Sequence, residues 1–220
     1  MLVVGNLAMP TDTKTFPKVL DPQDTSSGGG SASAIAGAMA GSLIAMVCGV
    51  SSKGATDDEG ILLHTTATRA QELSNLLLEG SRNDAVAFQA VRTAYRLPKD
   101  SDDERKTRNR AIQEAWATAA QIPLDNAKCC LDVARLGAEL PGHIGPNLTS
   151  DLTCALLLAQ AGGLGCLENV AVNLPSIRNP EVVARLDQEA RRVRDQLAEV
   201  AVLPTSWQPT DDTKRKAETR

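Results

Sequence analysis

The chain has 220 residues, enough for one domain or two small ones, with 42% hydrophobic and 23% charged residues, an ordinary balance for a soluble globular protein. A formal net charge of −4 gives no overall basic surface, which argues against nucleic acid as a partner. Aromatic residues make up only 2%, so the core must be built from small and aliphatic side chains. This composition favours closely packed helices over a β-sandwich.

The cysteines are odd in number and contain no CxxC pair, and all five lie in apolar helical patterns: Cys48, Cys129, Cys130, Cys154 and Cys166. A disulfide framework or a zinc site would have a different spacing. We therefore expect buried, reduced thiols in a cytoplasmic protein, and no metal site.

Residues 1–25 are expected to be irregular because prolines interrupt them, and no signal peptide is recognised there. Residues 32–50 are apolar and uncharged over about the thickness of a bilayer. This stretch is rich in Gly, Ala and Ser and lacks an aromatic belt. It predicts the buried central helix of a bundle, and no membrane partner is expected.

Four further helices are predicted from apolar residues at helical spacing, over residues 58–95, 102–140, 148–169 and 181–202. Pro123 should kink or split the second of them. The third is apolar on nearly all sides and should be buried, whereas residues 204–220 are polar and are expected to be a disordered tail. The fold class is all-α: one domain over residues 26–203, with about five to seven helices around a small-residue-rich central helix and no significant sheet.

A glycine triplet, Gly28-Gly29-Gly30, precedes Ser31 and the central helix. The free N–H groups and the positive dipole end of such a helix suit a phosphate or a carboxylate. The loop lacks the Lys-Ser/Thr ending of a P-loop, so nucleotide binding does not follow. The alternative is a flexible turn with Ser31 as N-cap.

Asp84 and Phe88 share one face of the helix predicted over residues 58–95, at i and i+4. Their neighbours are small and apolar, so the carboxyl group would be partly desolvated and suited to acid–base work. The alternative is a surface aspartate beside Arg82 or Arg92.

A polar cluster of Asn147, Ser150 and Asp151 opens the helix predicted over 148–169. It either caps that helix or holds a ligand, and one role does not exclude the other. Lys53, just past the central helix, either places a cation near an anionic ligand or pairs with the helix dipole.

Six short motifs occur in one order along residues 27–197, and together they resemble the formiminotetrahydrofolate cyclodeaminase and methenyltetrahydrofolate cyclohydrolase family. They are Gly28-Gly29-Gly30-Ser31 with its alanine-rich helix, Asp84-Ala85-x-Ala87-Phe88, Tyr95-x-Leu97-Pro98-Lys99, Ile122-Pro123-Leu124, Asn147-x-x-Ser150-Asp151 and Asn169-Val170-x-Val172-Asn173. Of the family's basic stretch after the first helix only Lys53 remains, and its tyrosine is absent.

The resemblance implies an all-helical homodimer with a tetrahydrofolate derivative near the subunit contact, and no cofactor beyond that substrate. On this hypothesis Asp84 is the acid–base group, Asp151 positions the pterin or shares the proton work, and Lys53 polarises or binds an anionic part of the ligand. The expected substrate contacts are Gly28, Gly29, Gly30, Ser31, Phe88, Asn147 and Ser150. The roles of the two aspartates are interchangeable at this point.

The preferred activity is hydrolysis of 5,10-methenyltetrahydrofolate to 10-formyltetrahydrofolate. The first alternative is cyclising deamination of 5-formiminotetrahydrofolate with release of ammonia. The second is a folate-binding or scaffold relative that has lost activity together with the basic stretch. An unrelated helical interaction module would leave the ordered motifs unexplained.

Overall fold

The computed structural model describes residues 15–200, with side chains from residue 18, and this part of the chain is helical without strands. The α-helices are α1 (Thr15–Leu20), α2 (Gly29–Ser51), α3 (Asp57–Ala94), α4 (Asp102–Ala138), α5 (Thr149–Asn173) and α6 (Pro180–Glu199). Short 3₁₀ turns follow α2 and flank α5: Ser52–Gly54, Pro146–Leu148 and Leu174–Ser176. The all-α prediction is confirmed.

Helices α2 to α5 form a four-helix bundle in which α2 packs most extensively against α3 and α5, and α4 packs against the same two. Contact between α2 and α4 is smaller, so these two lie diagonally opposite, and α6 covers α4 and α5. A Cβ at Gly162 of α5 would lie 2.7 Å from the Ser33 carbonyl oxygen and 2.9 Å from the Gly37 nitrogen. Glycine there lets the backbones of α2 and α5 touch.

The central position predicted for α2 is confirmed, but its outer face is exposed. The inward residues of α2, such as Ala34, Ile44 and Val47, are fully buried, whereas Met39, Met46 and Val50 are 40–44% exposed. By length and composition alone, the segments Gly29–Gly54 and Pro146–Ser176 are apolar enough to cross a membrane, although about half of each is buried inside the bundle.

Several boundaries differ from the sequence predictions. The segment expected to be irregular contains α1, and α4 continues without interruption through Pro123. The prediction that α5 is buried on nearly all sides is wrong, because Leu157, Leu164 and Val172 are 40–69% exposed. The predicted polar tail and the first 14 residues lie outside the described part of the chain.

An asparagine compensates for the proline inside α4. Pro123 has no N–H, so the Ala119 carbonyl four residues earlier loses its helical donor. Asn173 Nδ2, at the end of α5, donates to that carbonyl at 2.7 Å. The bond explains how α4 continues through Pro123, and it fixes the last turn of α5 against α4.

Candidate active site at the start of α2

The start of α2 meets the last third of α3 at a half-buried carboxyl group. The Ser31 hydroxyl lies 2.9 Å from Asp84 Oδ2 and 3.1 Å from the Ser81 carbonyl oxygen, and it can donate its proton to either. Ser31 is fully buried and Asp84 is half-buried. The structure therefore brings Ser31 and Asp84 together, and Asp84 is not a surface aspartate.

The glycine triplet makes room for this carboxyl group. A Cβ at Gly30 would lie 2.5 Å from Asp84 Oδ1 and 2.7 Å from Oδ2, so the carboxyl group rests against the bare Cα of Gly30. The N-cap of α2 is Gly28, which has no side chain to cap the helix, and the Ser31 N–H faces the Asp84 carboxyl group instead. The anion expected at this helix start is thus the protein's own carboxylate, and the expectation of Ser31 as N-cap is wrong.

Two opposing influences set the acidity of Asp84. Burial raises the pKa of its carboxyl group above the ordinary value of 3.8, because charge is disfavoured away from water. The hydroxyl and the N–H of Ser31 lower the pKa by donating to the carboxylate, and the effect of burial is larger. A carboxyl group with a raised pKa takes up and releases protons closer to neutral pH, as acid–base catalysis requires.

Other side chains of this region come from α3 itself and from helices α4 and α5. Phe88 lies one turn further along α3 and is 47% exposed, so its ring is available to a ligand beside the carboxyl group. From α5, the Asn169 side chain lies within 3.4 Å of where a Cβ on Gly29 would be. Within the described residues, Ser81 Oγ and Asn126 Nδ2 are buried without a hydrogen-bond partner. Such groups are typical of places where a polar ligand or an ordered water binds.

The remaining predicted residues lie at the opposite end of the bundle. Asp151 is in the first turn of α5, which runs antiparallel to α2, and about 27 Å of helix separate it from Asn169. Lys53 is exposed in the 3₁₀ turn after α2, and Asn147 and Ser150 are exposed at the start of α5. A single chain therefore does not bring Asp84 and Asp151 together, and their joint site stays a prediction.

The capping expectation at α5 is also corrected. The N-cap of α5 is Leu148, and neither Asn147 nor Ser150 caps the helix through its side chain. Asp151 does lie in the first turn, as expected. Near this end, His143 Nδ1 lies 3.3 Å from Glu59 Oε1 and joins the turn before α5 to the start of α3.

The sequence analysis did not assign Ser81, Asn126 or Asn173 to the end of the bundle that holds Asp84. Asn173 had a readable signal, since a proline inside a helix leaves a carbonyl that needs an outside donor. Asn126 contacts Gly80 of α3, a glycine in mid-helix that marks a close approach. Ser81 gave no such signal, because a buried serine near a carboxylate is not distinguishable by spacing.

Comparisons with known proteins connect the chain to one family. The family model "Formiminotransferase-cyclodeaminase" matches residues 12–192. A methenyltetrahydrofolate cyclohydrolase from Methylorubrum extorquens is 34% identical over 193 residues, covering 86% of this chain and 90% of that protein. A formimidoyltransferase-cyclodeaminase from Sus scrofa is 27% identical over 80% of this chain, but the match covers only 32% of that longer protein.

A solved structure of a related protein has the same fold. The formiminotetrahydrofolate cyclodeaminase from Thermotoga maritima superimposes with a TM-score of 0.69 at 25% identity, covering 86% of this chain and 91% of the other. The family match over most of the chain and the near-complete alignment with the cyclohydrolase show that this chain belongs to the formiminotransferase-cyclodeaminase family.

Proposed function

We propose that the protein hydrolyses 5,10-methenyltetrahydrofolate to 10-formyltetrahydrofolate, with Asp84 as the acid–base group. The observation that carries the proposal is the alignment with a methenyltetrahydrofolate cyclohydrolase over 90% of that protein's length. The raised pKa of the Asp84 carboxyl group at the start of α2 supplies a group suited to the chemistry.

The reaction needs one proton acceptor and one proton donor. The methenyl carbon, bonded to N5 and N10, is electrophilic because the bridge is cationic, and water adds to it to give a tetrahedral carbon. Ionised Asp84 accepts a proton from the attacking water, and the same group then donates a proton to N5 as the C–N5 bond breaks. The products are 10-formyltetrahydrofolate and one proton, and the step requires no metal or covalent intermediate.

Cyclising deamination of 5-formiminotetrahydrofolate is the second candidate. It is favoured by the structural match to a formiminotetrahydrofolate cyclodeaminase. Here N10 attacks the formimino carbon, and the departing nitrogen leaves as ammonia after protonation. The same carboxyl group would serve both reactions, because both pass through a tetrahedral carbon between N5 and N10.

The test follows the absorbance of 5,10-methenyltetrahydrofolate with the purified full chain against a buffer blank. We expect faster decay of the methenyl band, and a loss of at least about a hundredfold in the rate for Asp84→Asn. Asp103→Asn is the matched control, since its side chain is 96% exposed at the start of α4. Formation of the band from the 5-formimino substrate without hydrolysis would instead establish the deaminase, and silence in both assays would contradict either activity.

We further propose that the protein is a homodimer in which α2 packs antiparallel against α2 of a second copy. An uncharged stripe at heptad spacing runs along the outer side of α2, with Met39, Met46 and Val50 exposed and Ala32, Ala36 and Leu43 half-buried. The stripe is symmetric about residue 41, so a twofold axis there would set Ala32 against Val50 of the second copy. Its apolar surface favours burial against another apolar face.

This arrangement would complete the site. It places the start of α2, with Asp84, beside the end of α2 of the second copy, where Lys53 is attached. The two ends lie about 28 Å apart in one chain, the distance from Ser31 to Val50 along α2, so only a second copy supplies both groups to one ligand. Asp151 of the second copy would approach from the same end.

We propose a cytoplasmic location, which the five free cysteines support, because unpaired thiols persist in reducing compartments. We propose no cofactor beyond the folate substrate.

A further inference from the structure

Ser31 was expected to hold the substrate, but in the folded chain its side chain is not accessible to solvent. It is the third residue of α2 after the N-cap, and it is fully buried between α2 and α3. A ligand would have to separate these helices to reach it. The side chain therefore acts through its protein partners.

The hydroxyl group of Ser31 is held between two acceptors on one helix. The Ser81 carbonyl and Asp84 Oδ2 both belong to α3 and lie 3.1 and 2.9 Å from Ser31 Oγ. When the hydroxyl donates to Asp84, the carboxyl group cannot rotate about its Cβ–Cγ bond without losing the bond at Oδ2. The same carboxyl group packs against the Cα of Gly30, which has no Cβ to displace it.

We propose that Ser31 is a positioning residue for Asp84: its hydroxyl group holds Oδ2 and thereby leaves Oδ1 as the oxygen that exchanges the substrate's proton. The inference rests on the proposed role of Asp84. No bond to substrate is made by Ser31, and its contribution is the orientation of the carboxyl group and the stabilisation of its ionised form.

The pKa of Asp84 is shifted by burial and by the donors of Ser31, and no charged side chain of the described residues is among the causes. α2 has no charged side chain between Gly29 and Ser51. The charged residues nearest in sequence to this region on α3 and α5 are Arg82 and Glu168, and Glu168 is exposed and lies 3.7 Å from Arg194. From α4 the residues here include the neutral Asn126. Burial and the donors of Ser31 are the influences that set the pKa of Asp84.

A merely structural role for Ser31 is separable from this one, because α2 and α3 share a second buried serine bridge. The Ser74 hydroxyl of α3 donates to the Ala38 carbonyl of α2 at 2.8 Å, and Ser74 is 1% exposed. Ser74→Ala removes this buried bond and the 2.9 Å hydrogen bond with Ser42 Oγ of α2, and it leaves the contacts of Asp84 in place. It is the matched control for Ser31→Ala.

The experiment measures kcat and KM against pH for the wild type, Ser31→Ala and Ser74→Ala. Removing a donor from the carboxylate should move the inflection that reports Asp84 upward by about one pH unit in Ser31→Ala, whether Asp84 acts as acid or base. We expect kcat at neutral pH to fall about tenfold with KM nearly unchanged, because the misplaced group acts only in the transition state. Ser74→Ala should leave the inflection in place.

An unmoved inflection in Ser31→Ala, or an equal shift in Ser74→Ala, overturns the proposal. Ser31→Cys has nearly the same shape with a weaker donor, and it replaces the alanine variant if that variant fails to fold, with a smaller shift in the same direction. Carboxyl ¹³C NMR titration of Asp84 in the substrate-free wild type and variants gives the same comparison without turnover. If the wild type acts on neither folate, the proposed function fails, and the NMR titration still decides the role of Ser31.

Discussion

Replacing Gly30 by alanine should uncouple activity from stability. The new Cβ would lie 2.5 Å from Asp84 Oδ1, 2.7 Å from Oδ2 and 2.8 Å from Cγ, all closer than carbon tolerates. The atoms that would clash are the terminal atoms of the Asp84 side chain, so we expect the carboxyl group to move and the backbone to stay in place. A shift of about 1 Å separates it from the donors of Ser31.

The cost to folding is small because opposing effects are similar in size. The hydrogen bonds that Asp84 loses are worth about 1.5–3 kcal/mol to a charged group, but a displaced carboxyl group regains water. Alanine gains about 0.5–1 kcal/mol over glycine within a helix. We therefore expect the free energy of unfolding to change by about 1 kcal/mol or less. A catalytic group misplaced by about 1 Å should lower turnover about a hundredfold.

The assay combines decay of methenyltetrahydrofolate with chemical denaturation of Gly30→Ala and a control. Gly60→Ala is that control, because Gly60 is also helical and a Cβ there meets nothing within 4 Å. We expect the control to keep full activity and to be as stable as the wild type or slightly more so. Activity of Gly30→Ala above about a third of the wild-type value would refute the conclusion that Gly30 positions Asp84.

Three further predictions concern Asp84, the proline in α4 and the dimer. Burial raises the folded pKa of Asp84 above 3.8, so the contribution of this group to stability is lost as pH rises from 3.8 through the folded pKa. Asp84→Asn lacks that contribution, so denaturant titration should show its free energy of unfolding rising relative to the wild type over this window, to at least the wild-type value at pH 7. Asn173→Ala leaves the Ala119 carbonyl without its side-chain donor and should cost about 1–3 kcal/mol, but less in a Pro123→Ala background that restores a backbone donor; equal costs in both backgrounds would contradict the compensation. Asp84→Asn and Asp151→Asn should each be inactive, and unfolding the two variants and refolding them together should restore about a quarter of wild-type activity. Half of the dimers are then mixed, and each mixed dimer has one intact site of its two. No recovery would place the two aspartates outside a shared site.

The sequence alone was sufficient for helices α2 to α6 and for the family, but it did not predict α1. Spacing of apolar residues located α3 and α4 to within two residues at each end, because a helix that buries one face must repeat every 3.6 residues. The acidic start of α3 and the single-faced pattern of α6 were read correctly for the same reason. The ordered motifs gave the family, which the comparisons confirm.

Tertiary structure decided what each motif contacts. The glycine triplet was expected to receive an external anion, yet it receives Asp84 from 53 residues beyond Ser31, a contact that no local pattern encodes. Asp84 and Asp151 belong to helices whose lengths and antiparallel packing hold them at opposite ends of the bundle. Local periodicity fixes which face of a helix is apolar, whereas the order and direction of packing determine which faces and ends meet. For the same reason only the folded chain revealed the exposed stripe on α2, since an apolar face looks alike whether the same chain or a second copy covers it.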